Sequence, residues 1–274
     1  MAVAEDGRDL QALLDHLRAS RGLDFAGFNL TMVARGVRRR MLEAGVEGFR
    51  DYRKLLEEFP DEAARLSHCI FLNVTSFFRD GSAWDFLARE VVPRLIEGAA
   101  PGRSIRIWSA GCASGEEPYS VAVLMAEALG LRGLCEKVRI YGTDIDEESL
   151  AQARRGRYDY QELKGVQSRW RRLYFARVGG EYEIRAELAL AIEFGRHDLA
   201  SEEPIRDVDL VICRHTLMYF EAEIEERILD AFHHALSDRG VLFAESTDRL
   251  AGLAGRFVPL SFEHPIFAKV GGVG

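Results

Sequence analysis

The chain has 274 residues, of which 47% are hydrophobic and 29% are charged, as in a globular protein with one large domain or one domain and a small companion. Its formal charge of −8 argues against nucleic-acid binding. The four cysteines form no Cys-x-x-Cys pair, so we expect no metal site. With no run of about 20 apolar residues, we expect no membrane insertion and a cytoplasmic location.

Helical spacing of apolar residues dominates the first part of the chain. One pattern begins at Leu10 and is broken by Gly22, and the others cover residues 30–42, 49–59 and 61–71. No alternation typical of strands interrupts them. The sequence therefore predicts an all-helical N-terminal domain over residues 1–75.

The segment 35–54 carries a local surplus of positive charge. It holds seven basic residues and three acidic ones in a chain that is acidic overall. Such a segment can steer an acidic partner toward the protein, and it can also be a solvated helix face. The sequence leaves both interpretations open.

Strands and helices alternate from residue 104 onward. Apolar strand patterns at 105–108, 137–143, 208–213 and 241–245 are separated by helical patterns at 118–129, 147–155 and 221–236. This order predicts an α/β domain over residues 104–274 with a doubly wound, mostly parallel sheet. Residues 76–103 are predicted to form a linker and a helix.

One segment interrupts that rhythm. Two alternating runs, 172–178 and 181–185, flank a Gly-Gly pair, which is a hairpin signal. We expect a small antiparallel β insertion at about residues 158–194. It is either a partner-binding surface or a plain structural flap.

The loop after the first predicted strand is typical of a ligand site. It contains Gly111 and Gly115 and leads directly into a helix. Glycines allow a ligand to approach the backbone, and free amides at a helix start attract anionic groups. The loop lacks both Gly-x-Gly-x-x-Gly and Gly-Lys-Ser/Thr, so it predicts a nucleotide-like ligand other than NAD or ATP.

Polar residues follow the other predicted strands. Asp144 ends the second strand, where a carboxylate can accept hydrogen bonds from ribose, and Asp146 fits the N-cap of the next helix. The segment 196–199 is suited to flank an adenine ring. Arg214 and His215 follow a buried run, where a lone arginine requires a partner, so a structural ion pair is the alternative to a ligand contact.

Five segments, in this order, resemble the chemotaxis receptor glutamate methyltransferases, the CheR family. They are Asn73-Val-Thr-Ser-Phe-Phe-Arg79, Trp108-Ser-Ala-Gly-Cys-Ala-Ser-Gly-Glu-Glu-Pro-Tyr-Ser120, Thr143-Asp-Ile-Asp146, Ala153-Arg-Arg-Gly-Arg-Tyr158 and Cys213-Arg-His-Thr-Leu-Met-Tyr-Phe220. The resemblance runs from about residue 23 to the C-terminal strand. It implies a helical domain joined to a class I methyltransferase-like domain that binds S-adenosylmethionine (SAM) and carries the β insertion.

The resemblance also implies which residues form the site, with S-adenosylhomocysteine (SAH) as the product. Glu117 is expected to meet the amino group of the cofactor, and Arg79 and Tyr219 to border the transferable methyl group. The expected catalytic residues are Arg79, Tyr219 and Arg214. The expected cofactor contacts are Asn73, Thr75, Arg79, Gly111, Glu117, Asp144, Asp198, Leu199, Arg214 and His215.

Two positions depart from the family pattern, because His215 and Asp198 stand where asparagine is usual.

The expected reaction transfers a methyl group to glutamate side chains in the cytoplasmic helical domain of a chemoreceptor. Residues 35–54 and the β insertion are the expected contact surfaces. The alternatives are a SAM-binding signalling module with little or no catalysis and a methyltransferase for a non-receptor protein.

Overall fold

The structure, a computed structural model, describes residues 2–59, 61–71, 75–245 and 255–271, without the side chains of residues 2–6 and 21. Contacts divide the chain into two compact units. The first contains residues 1–73 and 218–225, and the second contains residues 74–217 and 226–274. Among the described residues, no helix is both long enough and apolar enough to cross a membrane.

The first unit is built from helices, as the periodicity predicts. They are α1 (Ala2–Arg21), α2 (Leu30–Ala44), α3 (Phe49–Glu58) and α4 (Glu62–Phe71). The apolar faces of these helices bury residues such as Leu13, Val37 and Leu66. Asn29 caps α2, because its side chain accepts hydrogen bonds from the amides of residues 31 and 32.

A buried charge network ties α2 to α3 and α4. The carboxylate of Glu62 accepts two hydrogen bonds from the Arg40 guanidinium, at 2.7 and 2.8 Å, and one from the Tyr52 hydroxyl at 2.8 Å. Both sides of the carboxylate are therefore satisfied inside the unit. Arg40 belongs to this network and not to an open basic surface.

The second unit contains a seven-stranded sheet. Its strands are β1 (Ile105–Ala110), β2 (Val138–Asp144), β6 (Ile192–Arg196), β7 (Val208–Ile212), β8 (Leu236–Phe243), β9 (Phe257–Pro259) and β10 (Ile266–Lys269), in the order β6-β2-β1-β7-β8-β10-β9. The pairs from β6 to β8 are parallel, and β10 runs antiparallel to β8 and β9. The prediction of a doubly wound, mostly parallel sheet is confirmed.

Helices precede and separate these strands. They are α5 (Gly81–Phe86), a π-helical turn (Leu87–Val91), α6 (Val92–Gly98), α7 (Glu116–Lys137), α8 (Glu147–Arg155), α10 (Ala186–Ala189) and α11 (Ala222–Ala235). Within α7, Gly130 has a non-helical backbone at φ 71° and ψ 164°. This break explains why the helical pattern in the sequence ends near residue 129.

A second, three-stranded sheet forms the β insertion. It contains β3 (Arg157–Tyr158), β4 (Phe175–Val178) and β5 (Glu181–Ile184), with the antiparallel order β3-β5-β4. The hairpin predicted at Gly179-Gly180 is confirmed, since Val178 pairs with Glu181 and both glycines have positive φ. Part of the first predicted run is instead helical, in α9 (Ser168–Tyr174).

The strand β6 corrects the predicted extent of the insertion. Residues 192–194 were expected to belong to the insertion, but they pair with β2 in the large sheet. This strand is at the edge of the sheet and is interrupted by Glu193 and Gly195. An edge strand needs fewer buried residues than a central one, so its sequence lacks the continuous apolar run that marks β1 or β7.

Candidate cofactor site

The loop between β1 and α7 is folded back onto β2. The amides of Gly111 and Cys112 both donate to the carbonyl of Thr143, at 2.8 and 2.9 Å. Gly111 has φ 76°, and a Cβ there would lie 2.2 Å from Oγ1 of Thr216. Only glycine fits this position, because the side chain of Thr216 fills the space that a Cβ would take.

Asp144 is held rigidly at the carboxyl end of β2. One carboxylate oxygen accepts the amide of Ala113 at 2.8 Å, and the other accepts the amide of Asp146 at 2.9 Å. Burial raises the pKa of Asp144 to about 6, against the lowering effect of these amides. Each oxygen keeps a further lone pair, so the carboxylate can still accept hydrogen bonds from a ligand hydroxyl. As predicted, Asp146 caps α8 through the amide of Glu148.

Two glutamates begin α7, and the structure separates their roles. Glu116 is 3% exposed and accepts a hydrogen bond from Ser114 at 2.8 Å, and burial raises its pKa to about 7. Glu117 is half-buried and accepts a hydrogen bond from Ser109 at 2.8 Å. Burial also raises the pKa of Glu117, opposed mainly by the charge of Arg214. A cationic ligand would offset this cost of burial at Glu117.

The alternative considered for Arg214, a structural ion pair, is present. Its guanidinium donates to the carboxylate of Asp80 and, at 2.8 Å, to the carbonyl of Arg79. It also lies 4.6 Å from the centre of the Phe243 ring. Arg79 and Arg214 are thus brought together, and the charges of both act on Glu117. Nothing in the sequence pattern singles out Asp80.

His215 follows Arg214 in an unusual backbone conformation with φ 58°. Its Nδ1 lies 3.6 Å from Oε1 of Glu245, and its Nε2 lies 3.7 Å from Oδ2 of Asp80. Asparagine and histidine are among the residues that adopt positive φ most readily, so either side chain suits this position. Glu245 was not a predicted site residue, although an acidic residue at the end of a predicted strand is a usable signal.

Asp198 lies in a turn just after β6. Its two oxygens accept the amide of Ala200 at 2.9 Å and the hydroxyl of Ser201 at 2.8 Å. Both partners are donors, so an acidic side chain satisfies this turn fully. The preceding residue, His197, donates its amide to the carbonyl of Asp144, which joins the turn to the end of β2. Leu199 is half-buried beside it.

The remaining expected site residues are divided between the two units, or lie outside the described residues. Tyr219 belongs to the helical unit, where its hydroxyl donates to the carbonyl of Phe71 at 2.6 Å and its carbonyl accepts the amide of Asn29. Thr75 is half-buried in the second unit. Asn73 lies outside the described residues.

The described site is a group of polar side chains at the carboxyl ends of parallel strands, where open α/β sheets bind ligands. Asp144 offers acceptors for hydroxyl groups, and Glu117 offers a negative charge for a cation. This set fits SAM, which combines a ribose with cationic groups. Fold and site together define a methyltransferase that uses SAM.

Both parts of the chain match family models that agree with this class. Residues 73–265 match the CheR methyltransferase, SAM binding domain, and residues 8–70 match the CheR methyltransferase, all-alpha domain. The chain therefore belongs to the CheR methyltransferase family, and SAM is its cofactor. The resemblance seen in the sequence is confirmed.

Individual relatives agree with the family. A chemotaxis protein methyltransferase of Listeria innocua is 32% identical over 84% of this chain and 85% of its own length. The chemotaxis protein methyltransferase of Salmonella typhimurium is 31% identical over 86% of this chain and 82% of its own length. A 104.1 kDa protein of Rhodobacter capsulatus is 34% identical over 96% of this chain, which spans only 28% of that protein.

Proposed function

We propose that this chain transfers the methyl group of SAM to glutamate side chains in the cytoplasmic helical domain of chemoreceptors, forming methyl esters in sensory adaptation. The observation that carries the proposal is the match of both the helical and the α/β parts to CheR domains. The cytoplasmic location predicted from the sequence is part of this proposal, because the receptor domain that would be modified lies there.

Cofactor binding falls to residues of the α/β unit. We assign the ribose hydroxyls to Asp144, the amino group to Glu117 and the close backbone approach to Gly111. The turn with Asp198 and Leu199 is assigned to the adenine ring. Asn73, Thr75, Arg79, Arg214 and His215 complete the proposed set.

The bound cofactor supplies a methyl group that is activated by the positive charge on its sulfonium. A glutamate nucleophile with a pKa near 4.3 is already ionised at neutral pH, so the chain does not need a general base. Its residues act by alignment, which contributes up to roughly 7–11 kcal/mol in favourable cases, and by excluding water from the carboxylate.

Arg79, Arg214 and Tyr219 are the residues to which we assign this alignment. Asp80 neutralises Arg214, so that guanidinium offers little net charge to an incoming carboxylate. A weak attraction of this kind can orient a nucleophile without lowering its reactivity. We keep Tyr219 in the catalytic set on the resemblance alone.

Receptor contact is assigned first to one face of α2. Arg35, Arg38, Arg39 and Leu42 are exposed and occur at helical spacing on that face. Much of the positive charge in the segment 35–54 has an acidic partner, in the pairs Arg39–Glu43, Arg40–Glu62, Arg50–Asp9, Arg53–Glu57 and Lys54–Asp51. The three-stranded β insertion is the second proposed contact surface.

Methyl transfer to receptor domains tests the proposal. The chain is incubated with radiolabelled SAM and the cytoplasmic domains of its cognate receptors, and volatile label is measured after mild base treatment. Base-labile label is expected, since carboxyl methyl esters hydrolyse in base. The absence of such label across all cognate receptors would rule the proposal out.

A signalling module that binds SAM with little catalysis is the second candidate. It is favoured by the two departures from the family pattern that the resemblance implies, Asp198 and His215 in place of asparagine. Calorimetry with SAH separates the two candidates, because tight binding without turnover on any receptor supports the module. A non-receptor protein substrate is the third, and label appearing in other proteins of a lysate supports it.

A further inference from the structure

The ring of His215 lies between two carboxylates. Glu245, directly after β8, faces Nδ1 at 3.6 Å, and Asp80, in the loop before α5, faces Nε2 at 3.7 Å. Nε2 of His215 and Oε2 of Glu245 are both buried, and neither has a hydrogen-bond partner within the described part of the chain.

This arrangement suits an imidazolium better than a neutral ring. A neutral imidazole carries one N–H, so it can donate to only one of the two carboxylates and turns a lone pair toward the other. The protonated ring carries an N–H on both nitrogens, one facing each carboxylate.

His215 also belongs to a larger charge cluster. The described charged groups that face it or act on the same carboxylate are Asp80, Glu117, Glu245, Arg79 and Arg214. With the three carboxylates ionised, the cluster has a net charge of about −1 when His215 is neutral. Protonation of His215 brings it to about zero.

SAM and SAH differ in charge in a way that this cluster can detect. SAM carries a sulfonium cation, whereas SAH carries a neutral thioether in the same place. We propose that His215 sets the preference of the site for SAM over SAH. The neutral ring leaves a surplus negative charge that favours the sulfonium, and the protonated ring cancels this surplus charge. Acidification therefore raises the affinity for SAH, the product, relative to the affinity for SAM.

The inference rests on the SAM site assigned above and on no assumption about the methylated substrate. The resemblance to the family implies asparagine at this position, and asparagine cannot titrate. Since asparagine tolerates the positive φ at residue 215, His215→Asn is a mild replacement that keeps the local backbone.

Calorimetry of SAM and SAH binding at pH 5.5 and pH 7.0 tests the inference without any methyl transfer. This range lies below the pH at which α-amino groups titrate. For the unmodified chain, we expect the ratio of the SAH to the SAM dissociation constant to fall about fivefold on acidification, the lower end of typical coupling between sites. The His215→Asn variant should match the unmodified chain at pH 7.0 and show a clearly smaller fall.

Two further variants keep the test decisive. His68→Asn, the same exchange at an exposed position of α4, should behave as the unmodified chain. Glu245→Gln should lower the ratio already at pH 7.0, because it removes one negative charge. Glu116, Glu117 and Asp144, whose pKa values burial raises, titrate in the unmodified chain and in His215→Asn alike, so the contribution of His215 is the difference between the two falls.

A fall that is equally large in His215→Asn would overturn the inference, and so would an unchanged ratio in Glu245→Gln. Failure of methyl transfer to receptors would leave these binding results intact, so the two proposals fail separately.

Discussion

Two glutamates, one in each unit, show how a structural carboxylate differs from one placed for a ligand. Glu62 in the helical unit receives two hydrogen bonds from Arg40 and one from Tyr52, and the bonds from Arg40 hold its pKa below the usual value. Glu117 in the α/β unit has Ser109 as its hydrogen-bond donor, and burial raises its pKa. The carboxylate of Glu62 is therefore stabilised by partners within the fold. Burial of the Glu117 charge costs free energy that a bound cation would offset.

The largest expected effect is on stability and follows from substitution of Glu62, the carboxylate that the fold stabilises. Glu62→Gln removes the buried counter-charge of the Arg40 guanidinium and leaves it only the exposed carboxylate of Glu43, so we expect the unfolding free energy to fall by about 3 kcal/mol. Urea unfolding measures the change. Arg35→Glu, on the exposed face of the same helix α2, is the control and should change the stability by less than about 0.5 kcal/mol. Equal effects of the two variants would contradict the structural role of the network.

The second prediction concerns Glu116, whose pKa is raised by burial as that of Glu117 is. Its pKa rises from 4.5 to about 7 on folding, so the folded chain keeps a proton that the unfolded chain loses between these values. The unfolding free energy of the protein without cofactor should therefore fall by roughly 3 kcal/mol through this group as the pH rises from about 4.5 to 7.

Urea unfolding at pH 5 and pH 7.5 checks this pH dependence. Glu116→Gln cannot titrate and should remove the part of the fall that Glu116 contributes, leaving the part from Asp144 and Glu117, whereas Glu181→Gln at an exposed strand position should retain the whole fall. An unchanged pH profile in Glu116→Gln would show that this carboxyl is not protonated in the folded chain.

The third prediction concerns Glu117, the carboxylate that we assign to the cofactor. Glu117→Gln keeps an acceptor for Ser109 and removes the buried charge, so we expect no loss of stability. SAM binding should weaken roughly tenfold or more, as expected when a charged hydrogen bond is lost. Calorimetry and urea unfolding of the same variant measure both quantities. Reduced stability with unchanged SAM affinity would place Glu117 in the structural class with Glu62.

The smallest expected effect concerns the exposed arginines of α2. Charge reversal at Arg35 and Arg38 should raise the KM for receptor domains a few-fold at low salt, less at high salt, because exposed charges mainly steer association. SAM affinity should not change. Arg40→Glu is unsuitable for this test, because it would break the pair with Glu62. Receptor kinetics that are insensitive to both substitutions and salt would remove α2 as the contact surface.

Much of the fold is predictable from the sequence, and the reasons are local. The helices α2 and α3, the helix α8 with its cap Asp146, and the hairpin at Gly179-Gly180 all follow from periodicity or from turn chemistry. The strand β6 does not, because an edge strand with a glycine and charged residues lacks the apolar run of a buried strand.

The site is only partly predictable, because its missing members are partners of the predicted ones. Asp144 and Glu117 occupy recognisable places at a strand end and a helix start. Asp80 and Glu245 matter because they meet Arg214 and His215 across the fold, and residues that distant in sequence carry no shared pattern. For the same reason, the sequence overstates the basic surface of residues 35–54, since Glu62, which neutralises Arg40, lies outside that segment.

Tandem mass spectrometry of receptor domains after incubation with this chain and isotopically labelled SAM tests the proposed function most directly. The account predicts labelled methyl groups on glutamate side chains of the helical receptor domain, with far less label when the Glu117→Gln variant replaces the unmodified chain at limiting SAM. Label on another type of residue, or no label on any receptor despite measurable SAM binding, would contradict it.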